Sequence, residues 1–247
     1  MAKILITGSS GFIGSHLKKA IPFADGLDVI PSDATNLVCD VCDFEEVEKY
    51  DVIYHLAAIA NYDYYSKHPL ETYITNVCGT MNLLRQNSNA LFIFPSSVGV
   101  SEKNWSDPYI LSKAICEKIV RLMSDNFIIF RFANIYGKGA KAVVNKFIDN
   151  PIIDINGSGE QVRDFVYIDD LIEWLIKVNE IEKNKLYYIG SGIKTTINQL
   201  AKTVTKILGP KPIEYKPNRK FDVFEPIIKA DLKCGTSLEI GIRKTTS

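Results

Sequence analysis

Apolar residues fall along this chain in short bursts. Lys3–Ile6, Asp28–Ile30, Val52–Leu56, Leu91–Phe94 and Phe127–Arg131 are compact runs of Ile, Leu, Val and Phe. Runs of this length read as strands buried in a parallel sheet. Between them, Ile13–Ala20, Phe44–Lys49, Pro69–Gln86 and Tyr109–Met123 have helical character. Strand alternating with helix predicts a doubly wound parallel α/β sheet over residues 1–134. From about Asn134 the rhythm loosens, and Gly137, Gly139, Pro151, Gly157 and Gly159 crowd in. A smaller second region is expected over 135–247. It includes a helix at Asp169–Val178, able to pack back on the first domain, and a strand at Leu186–Ile189. A further helix at Asn198–Leu208 is ended by Gly209–Pro210.

Composition narrows the function. The chain has 247 residues, is 46% hydrophobic and carries 29 Lys+Arg against 29 Asp+Glu. That is enough apolar material for a sizeable core. The balanced charge does not favour nucleic acid or an anionic membrane surface as partner. The first apolar run stops at Thr7, too short for a signal peptide or a span, so a cytoplasmic protein is expected. Five cysteines suit a reducing compartment. With three histidines, and no second pair beside Cys39-x-x-Cys42, no metal site is expected.

The opening strand runs directly into Gly8-Ser9-Ser10-Gly11-Phe12-Ile13-Gly14. Gly8 suits a tight turn, Gly11 a close approach of backbone to phosphate, and Gly14 close helix–sheet packing. The helix N-terminus beyond offers free N–H groups and a partial positive charge to a pyrophosphate. Asp33 lies 19 residues past Gly14, read as the end of a second strand in DVIPSD. A carboxylate there would bind the adenosine ribose hydroxyls and repel a 2′-phosphate, favouring NAD.

Tyr109 and Lys113, four apart on a predicted helix, share one face. A free tyrosine has a pKa of about 10, and a neighbouring ammonium favours its phenolate. Ser97 stands just past the strand Leu91–Phe94, where doubly wound sheets place their chemistry.

TGSSGFIG, HLAA at His55–Ala58, TNVCGT at Thr75–Thr80, Ser97, YILSK and RFANIYG together resemble the extended short-chain dehydrogenase/reductase family. More narrowly, they are similar to its NAD-dependent nucleotide-sugar epimerase/dehydratase group. The resemblance covers nearly the whole chain and implies a Rossmann domain carrying a substrate-binding region. It assigns NAD to Gly8, Gly11, Phe12, Ile13, Gly14, Asp33, Asp40, Val41, Leu56, Ala57, Ala58 and Asn76, together with Tyr109 and Lys113. Ser97, Tyr109 and Lys113 match the catalytic residues. Ser97, Asn134, Arg163, Arg219 and Asp222 match positions that contact a nucleotide-sugar substrate. A homodimer through the Pro69–Gln86 and Tyr109–Met123 helices is the expected assembly. Cys39-x-x-Cys42 then falls on the adenine-side turn. Tyr62, Tyr64 and Tyr65 follow HLAA, either at a substrate entrance or covering the core edge.

Two departures sharpen the expected reaction. Dehydratases of the group carry an Asp-Glu pair after the hydroxyl residue, and the related decarboxylases carry a glutamate there. This chain has Val98 and Gly99. The segment from Ser97 to Tyr109 is also short. The expectation is a UDP-sugar 4-epimerase-like enzyme that retains NAD. The alternatives are a nucleotide-linked ketosugar reductase using NAD(P)H and a non-catalytic NAD(P)-sensing protein.

Overall fold

The computed structural model describes residues 2–45, 49–87, 89–221 and 229–247. Its main strands are β1 (Ile4–Thr7), β2 (Asp25–Asp28), β3 (Leu37–Val38), β4 (Val52–His55), β5 (Leu91–Ser97) and β6 (Phe127–Phe132). They are followed by β7 (Asn134–Tyr136), β8 (Ile153–Asn156), β9 (Val162–Arg163), β10 (Phe165–Tyr167), β11 (Lys185–Gly190), β12 (Thr195–Thr196), β13 (Ile213–Lys216) and β14 (Leu232–Lys233). One eight-stranded sheet has the order β14–β11–β6–β5–β4–β1–β2–β3. β1 pairs in parallel with both β2 and β4, and β4 with β5. The chain order therefore reverses at β1, the switch point at which doubly wound sheets open a crevice for ligand.

Contacts divide the chain into two units, Met1–Arg131 with Leu175–Tyr187, and Phe132–Trp174 with Tyr188–Ser247. The first unit thus takes back the end of the Ile168–Ile176 helix, where the Tyr54 hydroxyl donates to the Leu175 carbonyl at 2.9 Å. The core of the first unit gathers Leu5, Leu27, Ile53, Leu83, Phe92, Phe94, Val120 and Ile129. In the second unit, β7 pairs in parallel with β10, β8 in parallel with β13, and β9 antiparallel with β12.

Three expected elements come out differently. The second strand is Asp25–Asp28, not Asp28–Ile30; Val29 and Ile30 are 57% and 61% exposed. Gly26 explains the shift. A Cβ there would lie 1.9 Å from the Ala34 carbonyl oxygen and 2.9 Å from the Ser9 side chain, so only glycine lets β2 lie in this register beside β1. The stretch Pro69–Gln86 is helical in three pieces, with a wider π turn at Ile74–Cys78 between α-helical segments Pro69–Tyr73 and Gly79–Gln86. The helix expected at Phe44–Lys49 falls partly outside the described residues, and Phe44, Glu45 and Lys49 are not helical.

Helix α1 (Phe12–Ala20) follows the glycine loop, and helix α2 (Pro108–Met123) carries Tyr109 and Lys113. α2 starts where its sequence dictates: Asp107 caps it, accepting from the Ile110 N–H at 3.0 Å, and Pro108 takes the first helical position. One turn past Lys113, Glu117 accepts from Arg131 of β6 through both carboxylate oxygens, from Nε at 2.8 Å and Nη2 at 2.7 Å, and accepts from Ser96 at 2.5 Å. This pins α2 to β5 and β6. Replacing Glu117 by Gln should destabilise the protein by about 3 kcal/mol, because a largely buried guanidinium loses its counter-charge. Urea unfolding of the variant checks this, and an unchanged midpoint would contradict it.

Candidate active site

The glycine loop is wedged between β2 and β4. The Gly8 and Ser9 N–H groups donate to the Leu27 carbonyl at 2.8 and 3.3 Å, and Gly11 N–H donates to Gly8 O at 3.0 Å. Gly8 has φ +69°, and a Cβ on it would lie 2.6 Å from Ala57 N. A Cβ on Gly14 would lie 2.0 Å from Gly8 O. A Cβ on Gly11 meets only Gly8 O, at 3.1 Å, so beyond that oxygen this backbone faces open space. The loop is therefore tight on its inner side and open at the N-terminus of α1, the arrangement a pyrophosphate requires. Phe12 and Ile13 open α1 and are half-buried, as are Leu56, Ala57 and Ala58 beyond β4. Val41 is buried under Gly79, where any side chain would strike it at 2.4 Å, and the Asp40 carboxylate accepts from Cys42 N–H at 2.8 Å. Burial, then Asp40, pushes the Cys42 thiol up to about 12, which keeps it protonated.

The strand position expected of Asp33 needs correction. Asp33 is exposed and lies five residues past the end of β2. Asp28 occupies the strand end instead. Its carboxylate accepts from the Ser10 N–H of the glycine loop and from Ile30 N–H, both at 2.9 Å. Counting residues from Gly14 misplaced the strand end, because α1 stops at Ala20 and β2 starts at Asp25.

His55 closes β4 and is buried. Its Nδ1 lies 2.9 Å from Thr7 Oγ1 and its Nε2 lies 2.9 Å from Thr80 Oγ1. Burial, with Lys113 nearby, pushes its pKa down to about 3, so the ring is neutral. Thr80 donates its own proton to Asn76 O at 2.6 Å, which makes Nε2 the donor and Nδ1 the acceptor. Asn76 sits in the π turn. It accepts from Ile59 N–H at 2.8 Å and donates to Ser112 on α2 at 2.9 Å. The wider turn aims this one side chain at both the loop after β4 and the catalytic helix.

Alternation along β5 sends Ser96 to Glu117 and leaves Ser97 half-buried at the strand's carboxyl end, where its Oγ accepts from Gly99 N–H at 3.1 Å. Lys113 is buried and donates to the Pro95 carbonyl at 2.8 Å, with its ammonium 4.7 Å from the Phe94 ring centroid and 5.8 Å from that of Tyr109. Burial pushes Lys113 down to about 8. Burial raises the Tyr109 pKa, and the Asp107 carboxylate raises it further, so the phenol is neutral here. Asp107 is a residue the sequence reading missed. Its sign was the SDPY start of the helix, an N-cap acid two residues before the tyrosine.

In the second unit, Asn134 opens β7 and donates to the Asp164 carbonyl through its side chain at 3.2 Å and its backbone at 2.9 Å. Arg163 lies on β9 and donates to Val162 O at 2.9 Å. The Asp164 carboxylate instead takes Ser191 N–H and Oγ, at 3.0 and 2.6 Å, and Gly192 N–H at 2.8 Å. Arg219 is exposed, and Asp222 lies outside the described residues.

A glycine-loop nucleotide cradle at a sheet switch point, with Ser, Tyr and Lys at the end of the neighbouring strand and on the next helix, defines an NAD-linked enzyme class. The model of the NAD dependent epimerase/dehydratase family matches residues 4–190, and the chain belongs to that family. It is 30% identical to a Methanocaldococcus jannaschii protein provisionally named UDP-glucose 4-epimerase, over 95% of this chain and 92% of that one. It is 28% identical to UDP-glucuronic acid decarboxylase 1 of Arabidopsis thaliana, over 89% of this chain but 62% of that protein's length. Among solved structures, the NAD dependent NDP-hexosamine 5,6-dehydratase TunA superposes with a TM-score of 0.85 at 25% identity, over 99% of this chain and 96% of that one. The cofactor is NAD, and the protein is an enzyme of this family. Among the described residues no helix is long and apolar enough to cross a membrane.

The two aspartates separate by experiment. Asp28→Asn should weaken NAD binding by roughly ten-fold and narrow the preference for NAD over NADP, because a charge-assisted hydrogen bond and a repulsive charge are both lost. Asp33→Asn should leave both unchanged. Titration calorimetry with NAD and NADP reads the two variants, and a loss confined to Asp33→Asn would restore the original assignment.

Proposed function

We propose that this enzyme is a nucleotide-sugar epimerase, resembling UDP-sugar 4-epimerases, that keeps its NAD through the catalytic cycle. The observation that carries the reading is the pair of residues after Ser97. Val98 is a buried apolar side chain and Gly99 has none, so that position supplies no acid or base for eliminating water or carbon dioxide. The 92% coverage of the archaeal relative supports it as well.

Bound NAD supplies a hydride acceptor that can return what it takes. Tyr109, in its phenolate form, removes the proton from the sugar hydroxyl as that carbon is oxidised, and gives it back as the carbon is reduced on its other face. Ser97, at the end of β5, binds the same sugar oxygen and keeps it within the proton path. Lys113 holds the nicotinamide ribose. Gly8, Gly11 and Gly14 seat the pyrophosphate, Asp28 the adenosine ribose, and Asp40 and Val41 the adenine edge. Asn134, Arg163 and Arg219 recognise the nucleotide-sugar, the two arginines through its phosphates. A homodimer forms part of this proposal. Leu70, Ile74 and Met81 along residues 69–86, and Leu122 and Met123 at the end of α2, are exposed apolar side chains on the helical segments that the resemblance assigns to pairing. The enzyme is expected to work in the cytoplasm.

A panel of UDP-, dTDP-, GDP- and CDP-sugars with catalytic NAD tests the reading. The expected product is an isomer of unchanged mass with no net NADH. A product lighter by water or carbon dioxide would overturn it. Tyr109→Phe should bind NAD normally and lose at least roughly 100-fold in turnover. Full activity in that variant would remove Tyr109 from the reaction.

A further inference from the structure

Tyr65 lies on a short helical turn, Tyr62–Tyr65, capped by Asn61. Its ring stacks on Tyr109 with centroids 5.6 Å apart and planes 20° from parallel. Its hydroxyl donates to Asp107 Oδ2 at 2.9 Å, while Asp107 Oδ1 accepts from the Ile110 N–H at 3.0 Å. Tyr65 is 5% exposed and Asp107 1%, so water screens their hydrogen bond little. The carboxylate thus accepts from one phenol and caps the helix turn that carries the other.

We propose that Tyr65 and Asp107 are positioning residues for Tyr109: the Tyr65 ring fixes the plane of its phenol, and the Asp107 carboxylate, shared between the Tyr65 hydroxyl and the start of α2, sets its proton affinity. This rests on the assignment of Tyr109 as the proton-transfer group. The groups facing Asp107 are the phenols of Tyr65 and Tyr109 and, from the Pro69–Tyr73 segment, that of Tyr73, whose pKa Asp107 also raises. Lys113 follows one turn beyond Tyr109. Asp63, Lys67, Glu102 and Lys103 on the flanking segments are exposed. Burial raises the Asp107 carboxyl, and the Tyr65 hydrogen bond pulls it back down, so Tyr65 helps keep the carboxylate ionised and disperses its charge.

The sign follows. Asp107→Asn keeps a good helix cap and an acceptor for Tyr65 but removes the charge, so the Tyr109 phenol should ionise at lower pH, by about one unit. Tyr65→Phe keeps the stacked ring but leaves the full Asp107 charge facing Tyr109, so ionisation should move to higher pH. Tyrosine labelled with carbon-13 at Cζ, in the full chain with and without added NAD, reads this by NMR. The Tyr109 signal is identified by its loss in Tyr109→Phe. Opposite shifts in the two variants are expected, matched by opposite displacements of the acid limb of turnover. No shift in either, or shifts of the same sign, would overturn the proposal. If Asp107→Asn does not fold, the Tyr65→Phe shift alone decides it. Tyr109→Phe keeping full turnover would instead sink the underlying assignment, while the NMR shifts would still report the coupling.

Discussion

The structure depends on how closely the glycine loop can approach its neighbours. Gly8 is pressed between the Leu27 carbonyl and the start of the loop after β4, and Gly14 packs against Gly8 itself. No side chain fits at either position. This contact sets the height of β1 between β2 and β4, and hence where Asp28, Leu56 and His55 emerge. Gly26 extends the same constraint to β2, and Gly79 to the turn beneath Val41. All four glycines thus stand where a neighbour leaves no room for a side chain.

The chemistry rests on a second frame, built around α2. Asp107 fixes its start, Asn76 its middle through Ser112, and Glu117 its later turns through Ser96 and Arg131. Lys113 is tied to the same strand by Pro95. His55, neutral and hydrogen-bonded at both ring nitrogens, braces the cofactor strand against the Gly79–Gln86 segment. The two frames meet at the carboxyl ends of β4 and β5. There burial raises the Tyr109 pKa, and the Asp107 carboxylate raises it further.

The parallel sheet was legible in the sequence because its strands are short apolar bursts with few polar interruptions. The glycine loop and the Tyr109–Lys113 pair were legible because their spacing is local. What escaped was set by contacts distant in sequence. Val29–Ile30 looks like a strand, yet β2 ends at Asp28, so Asp33 does not close a strand. The role of Lys113 was read from its separation from Tyr109 alone. It could not include Pro95, 18 residues back, or the acid that begins the helix. Tyr65 was one of three tyrosines with two readings, and only its stacking on Tyr109 singles it out. Of the two adjacent residues Arg163 and Asp164, the arginine donates to Val162 O and the aspartate takes Ser191 and Gly192, contacts that sequence adjacency does not show.

The central claim is that one carbon of the sugar both loses and regains its hydride. The most direct measurement follows deuterium placed at C4 of the nucleotide-sugar substrate, with product analysed by NMR and mass spectrometry. The account predicts a product with inverted configuration at C4, deuterium still on that carbon, and unchanged mass. Deuterium on a different carbon of a product lighter by water, or deuterium left in the reduced cofactor beside a ketosugar, would contradict it.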